Sequence, residues 1–438
     1  MTGSNNIRLR LIILSFLEFA VWGAYLTSFG RYLGIIGFGP QIKWFFAMQG
    51  IVSLFMPALM GIVADRHIQA QKVLAICHLI AGVFMISASL YCMRHSEGTI
   101  RFAPLFILYS ISLAFYMPTI AISNSVAYST LTQAGMDTVS NFPPIRAFGT
   151  IGFICSMLLT NWLRIGGVAM QDSYTQLAAS GILSLVLFLF SLTLPACPVN
   201  KNAGRKSFID TFGLRAFTLF KEYRMAVFFI FAMLLGSALQ ITNAYANTFL
   251  GSFGAIPEYA NSFAVRNSNA LLAISQASET LCILLIPFFM KRLGIKKVML
   301  TAMLAWVLRF GLFAIGKPDM PGVVWLIISC IVYGVAFDFF NISGSIFVDQ
   351  NVGKDIRSSA QGLFMMMTNG LGASIGTLAA GAVVDKLVYE APVPSWSATW
   401  GIFAGYALVV AIAFAILFKP EKNNDRQCRQ PSSPDRIS

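Results

Sequence analysis

A chain of 438 residues that is 57% hydrophobic and only 11% charged is not a soluble globular domain, where about a quarter of residues carry charge. Its net charge of +13 raises the question of nucleic acid, but the basic residues cluster at the ends of apolar runs, as at Arg8 and Arg10, Lys221 and Arg224, and Lys291 to Lys297. That is the positive-inside bias of a multi-span membrane protein, and no folded basic domain is left outside the apolar runs to bind nucleic acid.

Twelve apolar runs follow one another, near 10–31, 42–64, 73–93, 103–125, 146–166, 176–196, 225–250, 268–290, 298–316, 322–346, 360–383 and 397–418. Runs of this length cross a hydrocarbon core of about 30 Å. Their continuous apolar character fits helices, whereas barrel strands alternate. The expected fold is therefore an all-α polytopic membrane protein with twelve transmembrane helices in two pseudo-symmetric six-helix bundles. The first run continues through Trp22, Tyr25 and Phe29 without a small-residue cleavage site, so a retained helix is expected in place of a signal peptide. It carries a stripe of Glu18, Trp22 and Tyr25, and Glu18 is an embedded acid.

The second run ends in 61–66 (GIVADR). This turn is similar to the first half of the loop signature of the major facilitator superfamily, although His67, Ile68 and Gln69 depart from the rest. The resemblance implies that Asp65 and Arg66 help latch two halves together on the cytoplasmic side; the plainer reading is a charged anchor at a helix end. Weak internal repeats point to duplication. Ala114-Phe115 matches Ala336-Phe337, and 149–152 (GTIG) matches 373–376 (ASIG) at nearly the same offset. The longest polar stretch, 197–224, divides the chain. The expected organisation is an N-terminal bundle at 1–196, a cytoplasmic linker at 197–224, a C-terminal bundle at 225–420 and a disordered cytoplasmic tail at 421–438. Transporters built from such repeats hold substrate near the midplane, between the halves.

Polar side chains inside the apolar runs are the strongest functional signal. Each costs a few kcal/mol at a helix centre, roughly 2.5–3.5 for an acid by insertion scales, and is kept where it faces a wet cavity. In the fifth run Arg146, Thr150 and Phe153 fall on one face. In the seventh, Gln240 and Asn243 are three apart, with Asn247 one turn on; in the eighth, Gln276 and Glu279 repeat that spacing beside Ser275 and Ser278. In the tenth, Tyr333, Phe337 and Asn341 recur every four residues with Asp338 alongside. Residues three or four apart share a helix face. Amides, carboxylates and aromatic rings together suit a planar solute with many hydrogen-bonding groups. Inter-helix glue is the plainer role for any one amide. Asp338 and Glu279 are candidate proton carriers; their plainer role is pairing with a buried arginine, for which Arg309 in the ninth run is the obvious partner unless it reaches out to the membrane surface. The seven cysteines form no CxxC pair and the three histidines are scattered, so neither a metal site nor a cofactor is expected.

Three blocks, 141–153 (NFPPIRAFGTIGF), 239–243 (LQITN) with 275–280 (SQASET), and 333–344 (YGVAFDFFNISG), are similar to the nucleoside–proton symporters of the major facilitator superfamily. The similarity extends from the first run to the last and includes 55–59 (FMPAL) and 134–137 (AGMD). It implies proton-driven uptake of nucleosides. Arg146, Thr150, Phe153, Gln240, Asn243, Gln276, Glu279, Tyr333 and Phe337 would line the nucleoside site, and Asp338 would be essential for coupling or site integrity. Glu18 stands where better-known members of the family carry glutamine, and an added acid there bears on proton coupling.

The expected partners are a nucleoside, protons and the lipid bilayer, with a single chain as the working unit. The expected location is a bacterial cytoplasmic membrane, with both termini cytoplasmic. A sugar or oligosaccharide symporter of the same fold and a nutrient receptor that binds without translocating are the alternatives. A membrane enzyme would need reactive groups gathered at one surface, and His67 near Asp65 is the only approximation to that.

Overall fold

The computed structural model describes residues 2–95, 97–198, 214–353 and 356–419. Twelve helical segments are counted here as α1 (Thr2–Gly23), α2 (Ile42–Arg66), α3 (Ala70–Arg94), α4 (Phe102–Gln133), α5 (Thr138–Trp162), α6 (Thr175–Ser191), α7 (Tyr223–Ser252), α8 (Ser268–Leu293), α9 (Ile295–Ile315), α10 (Gly322–Asn351), α11 (357–389) and α12 (Trp396–Leu417). Among the described residues, ten helices are long and apolar enough to cross a membrane. The other two are α6, with 17 residues, and α1, which carries Arg8, Arg10 and Glu18. The α1 helix breaks after Gly23 and resumes as a short helix at Phe29–Ile35, with hydrogen-bonded turns between. The linker core at 199–213 and the tail from 420 onward lie outside the described residues, as do the side chains of Asp65 and Arg66.

These sequences form helices because a backbone in lipid must satisfy its own hydrogen bonds. Prolines sit inside α2, α4, α5 and α8, tolerated where neighbouring helices steady the chain. The α11 segment is irregular: α-helical stretches at Arg357–Met365 and Ala373–Val384 alternate with π-helical stretches at Met366–Gly372 and Asp385–Tyr389.

The duplication is visible in the packing. In the first half α1 lies on α5, α2 on α4, and α3 on both α4 and α6. In the second half α7 lies on α11, α8 on α10, and α9 on both α10 and α12. Each helix pair recurs six helices later, which is the two-bundle arrangement of the major facilitator superfamily. Small residues set the close approaches. A Cβ on Gly152 of α5 would lie 2.1 Å from the Phe16 carbonyl oxygen of α1, and one on Gly376 of α11 would lie 2.2 Å from Ser237 of α7. These two glycines occupy matching places in the repeat read from 149–152 and 373–376.

The halves meet through α2 on α11, α5 on α8, and the short Phe29–Ile35 helix on α7. A polar seam joins them at the end opposite the termini. Thr27 donates to Asn269 Oδ1 at 2.5 Å, and Asn269 Nδ2 donates to the Met157 carbonyl at 3.1 Å and to Thr160 Oγ1 at 3.0 Å. Asn161 donates to Asn267 at 2.8 Å. Arg31 pairs with Asp172 at 2.5 Å and donates to the Val265 carbonyl at 2.8 Å. Lys43 of α2 pairs with Asp385 of α11.

Candidate functional site

Of the helices that carry the side chains singled out, α5 packs on α8 across the divide between the halves, and α8 packs on α10 and α7 within the second half. Arg146 on α5 and Glu279 on α8 are close enough to attract each other across that divide. Glu279 is in turn within electrostatic reach of Asp338 on α10. Arg146 also lies over the Phe19 ring of α1, with its guanidinium carbon 3.8 Å from the ring centre. Phe153, two turns along α5, is buried and meets Trp22 edge to face at 6.2 Å. Thr150 lies between them on the same helix, half-buried.

The second half supplies amides and rings. Asn243 donates to Gln240 Oε1 at 3.0 Å, as the three-residue spacing predicts. The Gln240 Nε2 and one oxygen of Asp338 are buried with no hydrogen-bond partner in the protein. Tyr333 stands on α10, which packs along α8, the helix that carries Gln276. Tyr333 and Phe337 stack with ring centres 6.0 Å apart. Phe337, Asn341 and Leu239, the neighbour of Gln240, line one cavity with Trp306 and Asn369. Half-buried Gln276, Glu279, Asn243 and Phe337 complete a set with both signs of charge, amide donors and acceptors, and two stacked aromatic faces. Such a lining can hydrogen-bond the edge of a heterocycle, stack on its face and accept from hydroxyls. Its carboxylates can exchange protons.

Two ionisable groups sit differently from expectation. Arg309 does not pair with an acid among the described residues; its Nη1 donates to the Ser329 carbonyl at 2.7 Å and to Ser275 Oγ at 3.4 Å. Glu18 lies apart from the other two acids, inside the first half. Its Oε2 meets His78 Nε2 at 3.0 Å, its Oε1 accepts from Thr119 at 2.6 Å, and both members of the pair are fully buried. His78 Nδ1 is 3.0 Å from Ser184 Oγ. Sequence reasoning treated His78 as scattered; its place in the apolar α3, opposite the Glu18 run, was the available signal. The seam residues Asn161, Asn267 and Asn269 were also missed, although amides at the edges of apolar runs carry a comparable cost. Among the described residues no cluster of side chains could hold a metal ion.

A family model described as nucleoside H+ symporter matches residues 5–423. The nucleoside permease NupG of Escherichia coli is 47% identical over 416 residues, covering 94% of this chain and 96% of its own length. The xanthosine permease of Escherichia coli is 46% identical over 428 residues, covering 96% and 99%. A crystal structure of the nucleoside transporter NupG superposes with a TM-score of 0.85 at 47% identity, covering 95% of this chain and all of that one.

Proposed function

The chain belongs to the nucleoside H+ symporter family, and from that premise we propose that it binds nucleosides between its two halves at Arg146, Thr150, Phe153, Gln240, Asn243, Gln276, Glu279, Tyr333 and Phe337. It is a multi-pass membrane transporter, not an enzyme. In this reading the base stacks on Tyr333 and Phe337 while the amides of Gln240, Asn243 and Gln276 bond its edge. Glu279 accepts from sugar hydroxyls. The observation that carries the reading is that Gln240 Nε2 and one Asp338 oxygen are buried without a protein partner in the half whose α8 packs on α5 across the divide, because a substrate that satisfies them there touches both halves at once. Alternating access needs such a bridge: ligand that binds both halves favours the conformations in which they close on it.

Asp338 is the proposed coupling acid. Glu279 is within electrostatic reach of it, and one Asp338 oxygen is buried without a protein partner. In this reading the proton that Asp338 carries travels with the substrate. Glu18, joined to His78, is a second proposed proton-holding acid, within the first half. The moving bodies are 1–196 and 225–420, joined by 197–224, with 421–438 as a tail. The working unit is a single chain with both termini in the cytoplasm. The seam of Thr27, Asn161 and Asn269 then closes the periplasmic side, and Asp65 with Arg66 would latch the cytoplasmic side in the opposite state.

Uptake of labelled uridine and adenosine into proteoliposomes, with and without a protonophore, tests the reading. Accumulation that the protonophore abolishes supports it. Uptake that a disaccharide blocks and nucleosides do not would overturn the substrate; binding without accumulation would make the chain a receptor.

A further inference from the structure

Arg309 is among the largest fully buried side chains of the protein, on a helix, α9, that contributes nothing to the proposed substrate contacts. A cation inside a membrane bundle normally sits opposite an acid. This one, among the described residues, has no carboxylate within ion-pair distance. Its compensation comes from carbonyl and hydroxyl oxygens and from ring faces. The guanidinium carbon stands 4.6 Å from the centre of the Tyr333 ring and 5.0 Å from that of Phe313. Nη1 donates to the Ser329 carbonyl at 2.7 Å and to Ser275 Oγ at 3.4 Å, and Ser329 Oγ donates back to the Arg309 carbonyl at 2.9 Å.

The two serines mark what the guanidinium holds. Ser329 is one helical turn before Tyr333 on α10, and Ser275 immediately precedes Gln276 on α8. One planar cation thus ties together, from behind, the two helices that present a ring and an amide to the cavity. Trp306, also on α9, meets the Tyr333 ring edge on at 5.9 Å, and Phe337 stacks on it at 6.0 Å. The ring is fixed on three sides, and the guanidinium is the only charged one of the three. An apolar side chain would fill the volume without gripping a ring face. A lysine would keep the charge but could not bond Ser329 and Ser275 while lying flat on the ring.

We propose that Arg309 is a positioning residue of the nucleoside site, which clamps the Tyr333 ring and, through Ser275, steadies the turn of α8 that carries Gln276 in the geometry the substrate meets. The proposal rests on the reading of Tyr333 and Gln276 as substrate contacts. It separates Arg309 from proton coupling, the role its embedded charge first suggests.

A double-mutant cycle on the purified full chain decides it. Uridine binding is measured for the unmodified chain, Arg309→Met, Tyr333→Leu and the pair, with the melting temperature of each recorded without ligand. Arg309→Met is expected to weaken binding about tenfold, the loss of one desolvated cation–ring contact, and Arg309→Lys about threefold. In the Tyr333→Leu background the further loss from Arg309→Met should be less than about twofold, because the ring on which it acts is gone. Unchanged affinity in Arg309→Met overturns the proposal. So do losses that multiply to about a hundredfold in the pair, which mark Arg309 as acting independently of the ring. If Arg309→Met does not fold, the same cycle is run with Arg309→Lys. Its threefold loss must vanish without the ring, and a loss that persists overturns the proposal. Absence of nucleoside binding by the unmodified chain is a different failure: it removes the substrate reading, and this proposal with it.

Discussion

Replacing Asp338 by asparagine is the sharpest test of coupling, because the two side chains have nearly the same shape. The amide keeps an acceptor oxygen and the packing of a residue that is only 3% exposed, and it removes the exchangeable proton. In the structure Asp338 has one oxygen without a partner, and Glu279 is within electrostatic reach of it. A symporter that moves one positive charge with its substrate gains about 2.3 kcal/mol per 100 mV. At 1.36 kcal/mol per factor of ten, that concentrates substrate about 50-fold, and a pH difference of about one unit, acid outside, adds another factor of about ten. Proteoliposomes holding a potassium diffusion potential of about 100 mV should therefore accumulate labelled uridine about 50-fold with the unmodified chain. Asp338→Asn should bring the ratio to about one. Exchange of internal for external uridine should survive in the variant, since exchange needs the site to turn over but requires no net proton movement. Retained accumulation above about tenfold would refute the assignment, and loss of exchange together with accumulation would recast Asp338 as a residue that holds the site together.

Glu279→Gln leaves Arg146 without its facing carboxylate, and should weaken uridine binding by about tenfold, in line with roughly 1.5–3 kcal/mol for a hydrogen bond to a charged group; unchanged affinity in equilibrium binding would take Glu279 out of the site. His78→Ala strands Glu18 in a dry interior, and should cost about 3–5 kcal/mol of stability, read as a large fall in melting temperature in detergent. Glu18→Gln should fold and should alter the pH dependence of uptake; a superimposable pH profile would confine Glu18 to a structural role. Asn269→Ala removes its side-chain bonds to Thr27, Met157 and Thr160, at about 1 kcal/mol each. It should move the balance of states toward opening at that end, seen as a longer distance population between spin labels at Arg101 and Lys317, and an unshifted distribution would show that the seam does not set the balance.

The fold was legible because lipid leaves the chain so few options. Runs of about 20 apolar residues must be helices, and each of the twelve is one, with the bounds of three misplaced most: α1 spans Thr2–Gly23 where 10–31 was read, α4 runs on to Gln133 beyond 103–125, and α5 starts at Thr138 because the helix continues through Pro143 and Pro144. The repeat was legible at 149–152 and 373–376 because close helix approach needs glycine at Gly152 and Gly376. What could not be read was which polar groups would find each other. Arg309 looked like the natural partner of Asp338 or Glu279 on charge alone, yet it turns to Ser329, Ser275 and the Tyr333 ring. Glu18 was legible as an embedded acid but its partner was not: it is His78, sixty positions away. Pairings between helices depend on rotation and depth, and neither is written in the spacing of a single run.

The same limit explains why glue and substrate contact cannot be told apart from residue type, and why the structure separates them on one helix. Gln240, Asn243 and Asn247 form a single amide stripe along α7. Asn247 accepts from Ser268 at 2.7 Å and lies 3.4 Å from Asn269, so it belongs to the seam. Gln240 bonds Asn243 and keeps its Nε2 without a protein partner among the described residues, so it is free of the seam and, in the proposed reading, available to substrate. Seam and site are thus about two turns apart on one rigid rod. Opening the sealed end requires the second half, α7 and Asn269 together, to part from Thr27, Met157 and Thr160, and a half that moves there carries Gln240 and Asn243 with it. Substrate that bonds those amides and also touches Arg146 opposes or favours that movement directly. No relay between distant sites is required: the coupling of occupancy to opening follows from placing both sets of amides on α7.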